Sequence, residues 1–140
     1  MKTITWKLHL KSSPETVFEL LSTSEGRAKF WAEKADEENG MVHFVFPNGQ
    51  TYGSKVLECI PNQTFCLDYF ESLVKFHLEP SDNGGTDLTL INENVAEEEF
   101  HEVHAGWVSV LMNLKATADF QCDLRNHDPN KTWDQGYLDN

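Results

Sequence analysis

The amino-acid sequence predicts an α+β fold: a curved antiparallel sheet of about six to seven strands, two short helices after the first strand, and one long C-terminal helix over the sheet. Three observations predict it. From Glu97 to Cys122, apolar residues recur at Phe100, Val103, Trp107, Val110, Leu111, Leu114 and Ala118, the three- and four-residue steps of one helical face. Ahead of that helix, successive segments alternate apolar and polar residues with period two, as strands with one buried face do. Turn residues separate these segments at Pro47-Asn48-Gly49, Pro61-Asn62 and Asp82-Asn83-Gly84-Gly85. A lone amphipathic helix must lay its apolar face on that sheet, and a curved sheet leaves space beneath it. The space is the main clue to function.

The elements follow in order. Ile4, Trp6, Leu8 and Leu10 alternate with Thr5, Lys7, His9 and Lys11 in a first strand. Ser13-Pro14-Glu15 supplies an N-cap, a first-turn proline and a first-turn acid, and Val17, Phe18 and Leu21 form the apolar face of a short helix. Thr23 or Ser24 starts a second short helix, expected to end near Trp31. After a charged segment, Val42, Phe44 and Phe46 alternate up to the Asn48-Gly49 hairpin turn, and a strand from about Thr51 to Ile60 follows. Phe65, Leu67 and Tyr69 alternate in the next strand, then Val74, Phe76 and Leu78, then Leu88, Leu90 and Asn92. The long helix is expected as one rod of about seven turns. Residues 1–140 read as one domain, with the polar stretch 125–140 packed on it because Trp133 and Tyr137 interrupt its polarity.

Composition narrows the partners. Eleven Lys and Arg against twenty-three Asp and Glu give a net charge of −12, which repels nucleic-acid phosphates and anionic membrane surfaces. Cys59, Cys66 and Cys122 are odd in number and lack metal-ligand spacing, so they read as buried free thiols of a reducing compartment. The N-terminal strand has no apolar run of signal-peptide or membrane-spanning length. A cytoplasmic protein is expected.

Trp6, Trp31, Phe44, Phe46, Phe65, Tyr69, Phe76 and Trp107 fall on phases assigned to the concave side, where each is either core or pocket lining. Trp107, Tyr69 and Phe46 lead as lining, and a buried Tyr69 phenol needs a hydrogen-bond partner that a ligand could supply. Leu111 continues the Trp107 face. Asn92 points an amide inward near the start of the long helix, either to orient a ligand's polar end or to cap the following segment. His104, three residues before Trp107, is placed at the pocket mouth as a proton donor or acceptor, with a core role as its competitor. The ligand-binding set is therefore Trp31, Phe44, Phe46, Phe65, Tyr69, Phe76, Asn92, His104, Trp107 and Leu111. No catalytic residue, metal ligand or cofactor is assigned. His101 and His104 are spaced i, i+3 rather than i, i+4, Glu97-Glu98-Glu99 reads as a solvated first turn, and Asp68 and Glu71 read as solvated on the convex or edge side.

Specific residues carry a family resemblance over essentially the whole chain: Ser-Pro-Glu-Thr-Val-Phe from Ser13, Lys29-Phe30-Trp31, Gly53 to Glu58 ahead of Pro61, Gly85-Thr86-Asp87-Leu88-Thr89-Leu90, His104-Ala105-Gly106-Trp107, Leu111 to Lys115, and the tail motifs Leu124 to Asp128 and Thr132 to Tyr137. The chain resembles the START-like helix-grip domains and, within them, bacterial-type members of the activator of heat-shock-protein-90 ATPase-like family. The resemblance implies a bent sheet gripping the C-terminal helix, with an elongated apolar pocket between them. Two departures follow. Many relatives carry His where this chain has Asn92, so a role resting on that imidazole does not transfer. Eukaryotic members place a chaperone-binding domain ahead of the helix-grip domain, whereas this chain opens on its first strand, so direct stimulation of the chaperone ATPase is not expected.

The function expected is binding of a small apolar or amphipathic molecule between sheet and helix. The alternatives are an aromatase/cyclase- or lyase-type enzyme using Tyr69, Asn92 or His104 in the same pocket, and a chaperone-associated interaction domain. Neither nucleic acid nor membrane is expected as a partner, and a homodimer is left open.

Overall fold

The computed structural model describes residues 1–138. Residues 139 and 140, the end of the tail expected to pack on the domain, lie outside them. The elements are β1 (Lys2–Leu10), α1 (Pro14–Ser22), α2 (Ser24–Ala28), β2 (Lys34–Glu38), β3 (Met41–Val45), β4 (Thr51–Ile60), β5 (Thr64–Tyr69), β6 (Ser72–Pro80), β7 (Thr86–Val95) and α3 (Phe100–Phe120). All seven strands form one antiparallel sheet in the order β1-β7-β6-β5-β4-β3-β2. β1 and β2 are consecutive strands on opposite edges. The chain crosses between them through α1 and α2, then meanders back until β7 meets β1.

Local signals explain most boundaries. The Ser13 hydroxyl accepts from the Thr16 N–H at 3.2 Å and caps α1, and the Thr23 hydroxyl accepts from the Gly26 N–H at 3.0 Å and caps α2. α2 ends at Ala28 rather than near Trp31, so Phe30 and Trp31 enter the core from a turn. Gly26 permits this tight α1–α2 contact, because a Cβ there would lie 2.5 Å from the Leu20 Cα.

The charged segment after α2 is itself a strand. Lys34–Glu38 pairs with β3, turns at Asn39-Gly40, both with positive φ, and buries only Ala35. Its charges suit an edge strand, whose open side must discourage further pairing. The alternation rule failed on it because a single buried side chain leaves no period to read.

α3 is shorter than the sequence pattern indicated. Glu97–Glu99 form a 3-10 turn, α3 starts at Phe100, and Gln121 takes a left-handed cap (φ 49°) that stops it before Cys122. Trp107, Leu111, Leu114 and Ala118 of its predicted face are buried on the sheet, with Phe100, Val103 and Val110 partly buried at the edge. The expected burial of three thiols holds only for Cys66. Cys59 lies near the end of β4, past the register shift between Val56 and Glu58, and Cys122 lies beyond the helix cap; both are exposed. Among the described residues no helix is long and apolar enough to cross a membrane.

Candidate functional site

The space beneath α3 is a cavity of about 430 Å³ bounded by the first half of α3, the β3–β4 and β5–β6 turns, the end of β7 and the C-terminal tail. Its floor is aromatic. Trp31, Tyr69 and Trp107 meet with ring centroids 5.5–6.0 Å apart, and Phe46 and Phe70 extend the wall through the two turns.

The polar atoms of that floor are largely consumed by the protein. Trp107 Nε1 donates to Asn92 Oδ1 at 2.9 Å, and Asn92 Nδ2 donates to Ser72 Oγ at 2.8 Å and to the Leu73 carbonyl at 3.1 Å. Ser72 Oγ in turn donates to the Tyr69 carbonyl at 2.6 Å. A continuous ladder thus ties α3 to β7, β6 and β5. Asn92 does not cap the following segment; both its N–H donors are spent within the protein, and it is the central rung. Trp31 Nε1 donates to the Tyr69 hydroxyl at 3.2 Å, and among the described residues nothing accepts the phenol's own proton. Burial pushes the Tyr69 phenol far above its ordinary value near 10, against the smaller opposing pull of the Trp31 hydrogen bond. Tyr69 is therefore a neutral hydrogen-bond donor, not a phenolate base.

Five of the ten predicted site residues line the cavity: Trp31, Phe46, Tyr69, Asn92 and Trp107. The other five do not reach it. Phe44, Phe65 and Phe76 are spent on packing, Phe44 beside Trp31 and Phe46, Phe65 edge-on to Phe18 of α1, and Phe76 edge-on to Trp31 and Trp107. Leu111, one turn further along α3, is buried in the core beyond the cavity. His104 does not stand at the mouth. Three residues before Trp107 means about 60° around the helix axis, and the ring sits between Trp6 and Phe100 with centroids 4.6 and 5.3 Å away.

Sequence reasoning missed several lining residues. Gly106 leaves open space where a side chain would stand, with nothing within 4 Å of a Cβ built there. Phe70 and Glu71 form the two-residue β5–β6 turn, and both adopt positive φ (48° and 63°) where Asn-Gly is preferred. That turn leaves Glu71 solvated, as expected, but at the cavity edge. The only signal in the sequence was the two-residue gap between alternating segments.

The tail closes another side. Thr132, Trp133 and Asp134 line the cavity, with Trp133 Nε1 donating to Glu102 Oε1 at 2.9 Å and Asn48 Nδ2 donating to Asp134 Oδ1 at 3.3 Å. Among the described residues no group of three His, Cys, Asp or Glu side chains could hold a metal ion.

Comparison with known proteins places this geometry. The family model described as Activator of Hsp90 ATPase homolog 1-like protein matches residues 11–119. Among solved structures, a protein of Staphylococcus saprophyticus is 21% identical with a TM-score of 0.77, the match covering 89% of this chain and 96% of that one. An Aha1 dimer from Colwellia psychrerythraea, solved in solution, is 25% identical with a TM-score of 0.77, covering 86% of this chain and 98% of the other. A Chromobacterium violaceum protein is 22% identical with a TM-score of 0.70, covering 85% and 99%. Among curated proteins none matches. The bent antiparallel sheet gripping α3 is the helix-grip fold of these structures.

Proposed function

Starting from the fact that the chain belongs to the Activator of Hsp90 ATPase homolog 1-like family, we propose that it is a binding module that holds a small apolar or amphipathic molecule beneath the first half of α3. One observation carries this reading. The cavity of about 430 Å³ has an aromatic floor whose indole N–H groups are already bonded within the protein, leaving ring faces and one unclaimed phenol proton on Tyr69. Such a surface rewards burial of an apolar body, and the Tyr69 hydroxyl offers a donor to an acceptor atom on it. The same features speak against an enzyme in this cavity. Tyr69 stays protonated, both N–H donors of Asn92 are spent within the protein, and His104 faces elsewhere, so these three residues do not form a proton relay.

Gly106→Leu tests the reading. The substitution projects into the open space and improves helix propensity by roughly 0.8–1 kcal/mol at most, so the protein should melt no lower than wild type. Fluorescence of the neutral probe N-phenyl-1-naphthylamine should rise on wild type and fall at least about tenfold in affinity, near 1.4 kcal/mol, on the variant. Equal binding to both proteins would place the probe elsewhere and defeat the proposal.

The reading includes a homodimer. The Colwellia psychrerythraea relative is a dimer, and on α3 Val108 and Met112, one turn apart on the outer face, leave 42% and 48% of their surface exposed.

A further inference from the structure

We infer that the cavity selects its ligand by charge, accepting amine-headed amphiphiles and rejecting carboxylates and phosphates. The inference rests on the binding reading above and names the class of molecule that site takes. The exposed lining residues Glu71, Glu99, Glu102 and Asp134 put four carboxylates around the opening; among the described residues no Lys, Arg or His side chain lines it, and Met1 brings one N-terminal ammonium. Among the described residues none of these four is in an ion pair. Glu102 takes only the neutral Trp133 N–H, and Asp134 only neutral donors from Thr132 and Asn48. Four carboxylates against one ammonium leave the opening net negative, and that potential adds to that of a chain carrying −12 overall.

Beneath the carboxylates lie the aromatic rings of Trp107, Tyr69 and Phe46. Aromatic faces are electron-rich and attract a cation, while an anion finds neither a positive side chain nor a free indole donor among them. The Tyr69 hydroxyl, whose proton is unclaimed among the described residues, serves a neutral acceptor such as a carbonyl or ether on the ligand's buried portion. Head and body thus meet different chemistry: ammonium among carboxylates at the opening, aromatic or alkyl body on the floor.

Three molecules that share one body and differ only at the head test this: 4-phenylbutylamine, 4-phenylbutanol and 4-phenylbutyrate, each titrated calorimetrically into the full chain and competed against N-phenyl-1-naphthylamine. At about 20 mM salt, where screening is weak, the amine should bind at least about tenfold tighter than the carboxylate, with the alcohol between them. Raising the salt to about 0.5 M should shrink the ratio, because exposed charges are then screened within a few ångströms. In the double variant Glu71→Gln, Glu99→Gln the amine-to-carboxylate ratio should fall to about threefold or less. Carboxylate binding as tight as the amine, or a preference unchanged in the double variant, overturns charge selection while alcohol binding leaves the cavity reading standing. If none of the three displaces the probe, the cavity reading falls and this inference with it.

Discussion

Trp107 is where helix, sheet and cavity meet, and its two ends do different work. Its ring packs against Trp31, Tyr69 and Phe76, while its N–H is held by Asn92. Trp107→Ala should cost about 3–5 kcal/mol, the usual range for deleting a buried aromatic. Asn92→Ala should cost about 1–3 kcal/mol, because it strands the Trp107 N–H in the interior. The two residues share one hydrogen bond, so the double variant should lose less than the sum. Chemical denaturation of the three proteins checks this, and strict additivity would show that the 2.9 Å contact carries no coupling. The helical phase of Trp107 and the strand phase of Asn92 were legible in the sequence. That these phases meet was not, since it depends on how far the sheet bends.

At the scale of elements, the tail is held by a cluster that titrates. The buried Arg125 guanidinium donates to the Ala28 and Ala32 carbonyls and to Asp123. His127 contacts Asp123 at 2.6 Å and Glu33 at 2.7 Å, tying the tail to the segment ahead of β2. The Asp123 contact first and then Glu33 raise the His127 pKa above its ordinary value near 6.5. For Asp123, burial pushes the pKa upward, but hydrogen bonds from Arg125 and His127 outweigh it and hold the carboxyl far below its ordinary 3.8. The His127 contribution is therefore full below about pH 6.5 and is lost as pH rises through its folded value. The Asp123 contribution is present above about pH 3.8 and is lost as pH falls through its own folded value. With 39% of the His127 side chain exposed, its effect should stay below about 1 kcal/mol. The difference in melting temperature between wild type and His127→Gln should be positive near pH 5.5 and shrink as pH rises above about 6.5. A difference that does not change with pH would mean that the imidazole acts here only by its shape.

For the whole molecule, charge and association oppose one another. Two chains that each carry −12 repel, while Val108 and Met112 gain by being covered. A homodimer formed through α3 should therefore strengthen with salt. Sedimentation should show the dimer fraction rising as salt goes from about 20 mM to about 0.3 M, and Met112→Lys should shift the population to monomer. A protein that sediments as a monomer at every salt and micromolar concentration would overturn the dimer.

The sequence by itself determined the α+β order of the elements other than β2, the caps of α1 and α2, the Asn48-Gly49 hairpin, the inward phase of Asn92 and the face of α3 that meets the sheet, because each of these is written in neighbours a few residues apart. It also marked Trp31, Phe46, Tyr69 and Trp107, though not which aromatics on the same phases would border the cavity. Only the tertiary structure decided that Phe44, Phe65 and Phe76 are spent on packing while the others border open space. It alone brought Gly106, the Phe70-Glu71 turn and the Trp133 segment of the tail to one cavity, and turned His104 away from it toward Trp6. The physical reason is range. Periodicity tells which way a side chain points from its own element, but a cavity is the space left over where distant elements fail to touch, and that is set by the bend of the sheet and the rotation of α3 upon it.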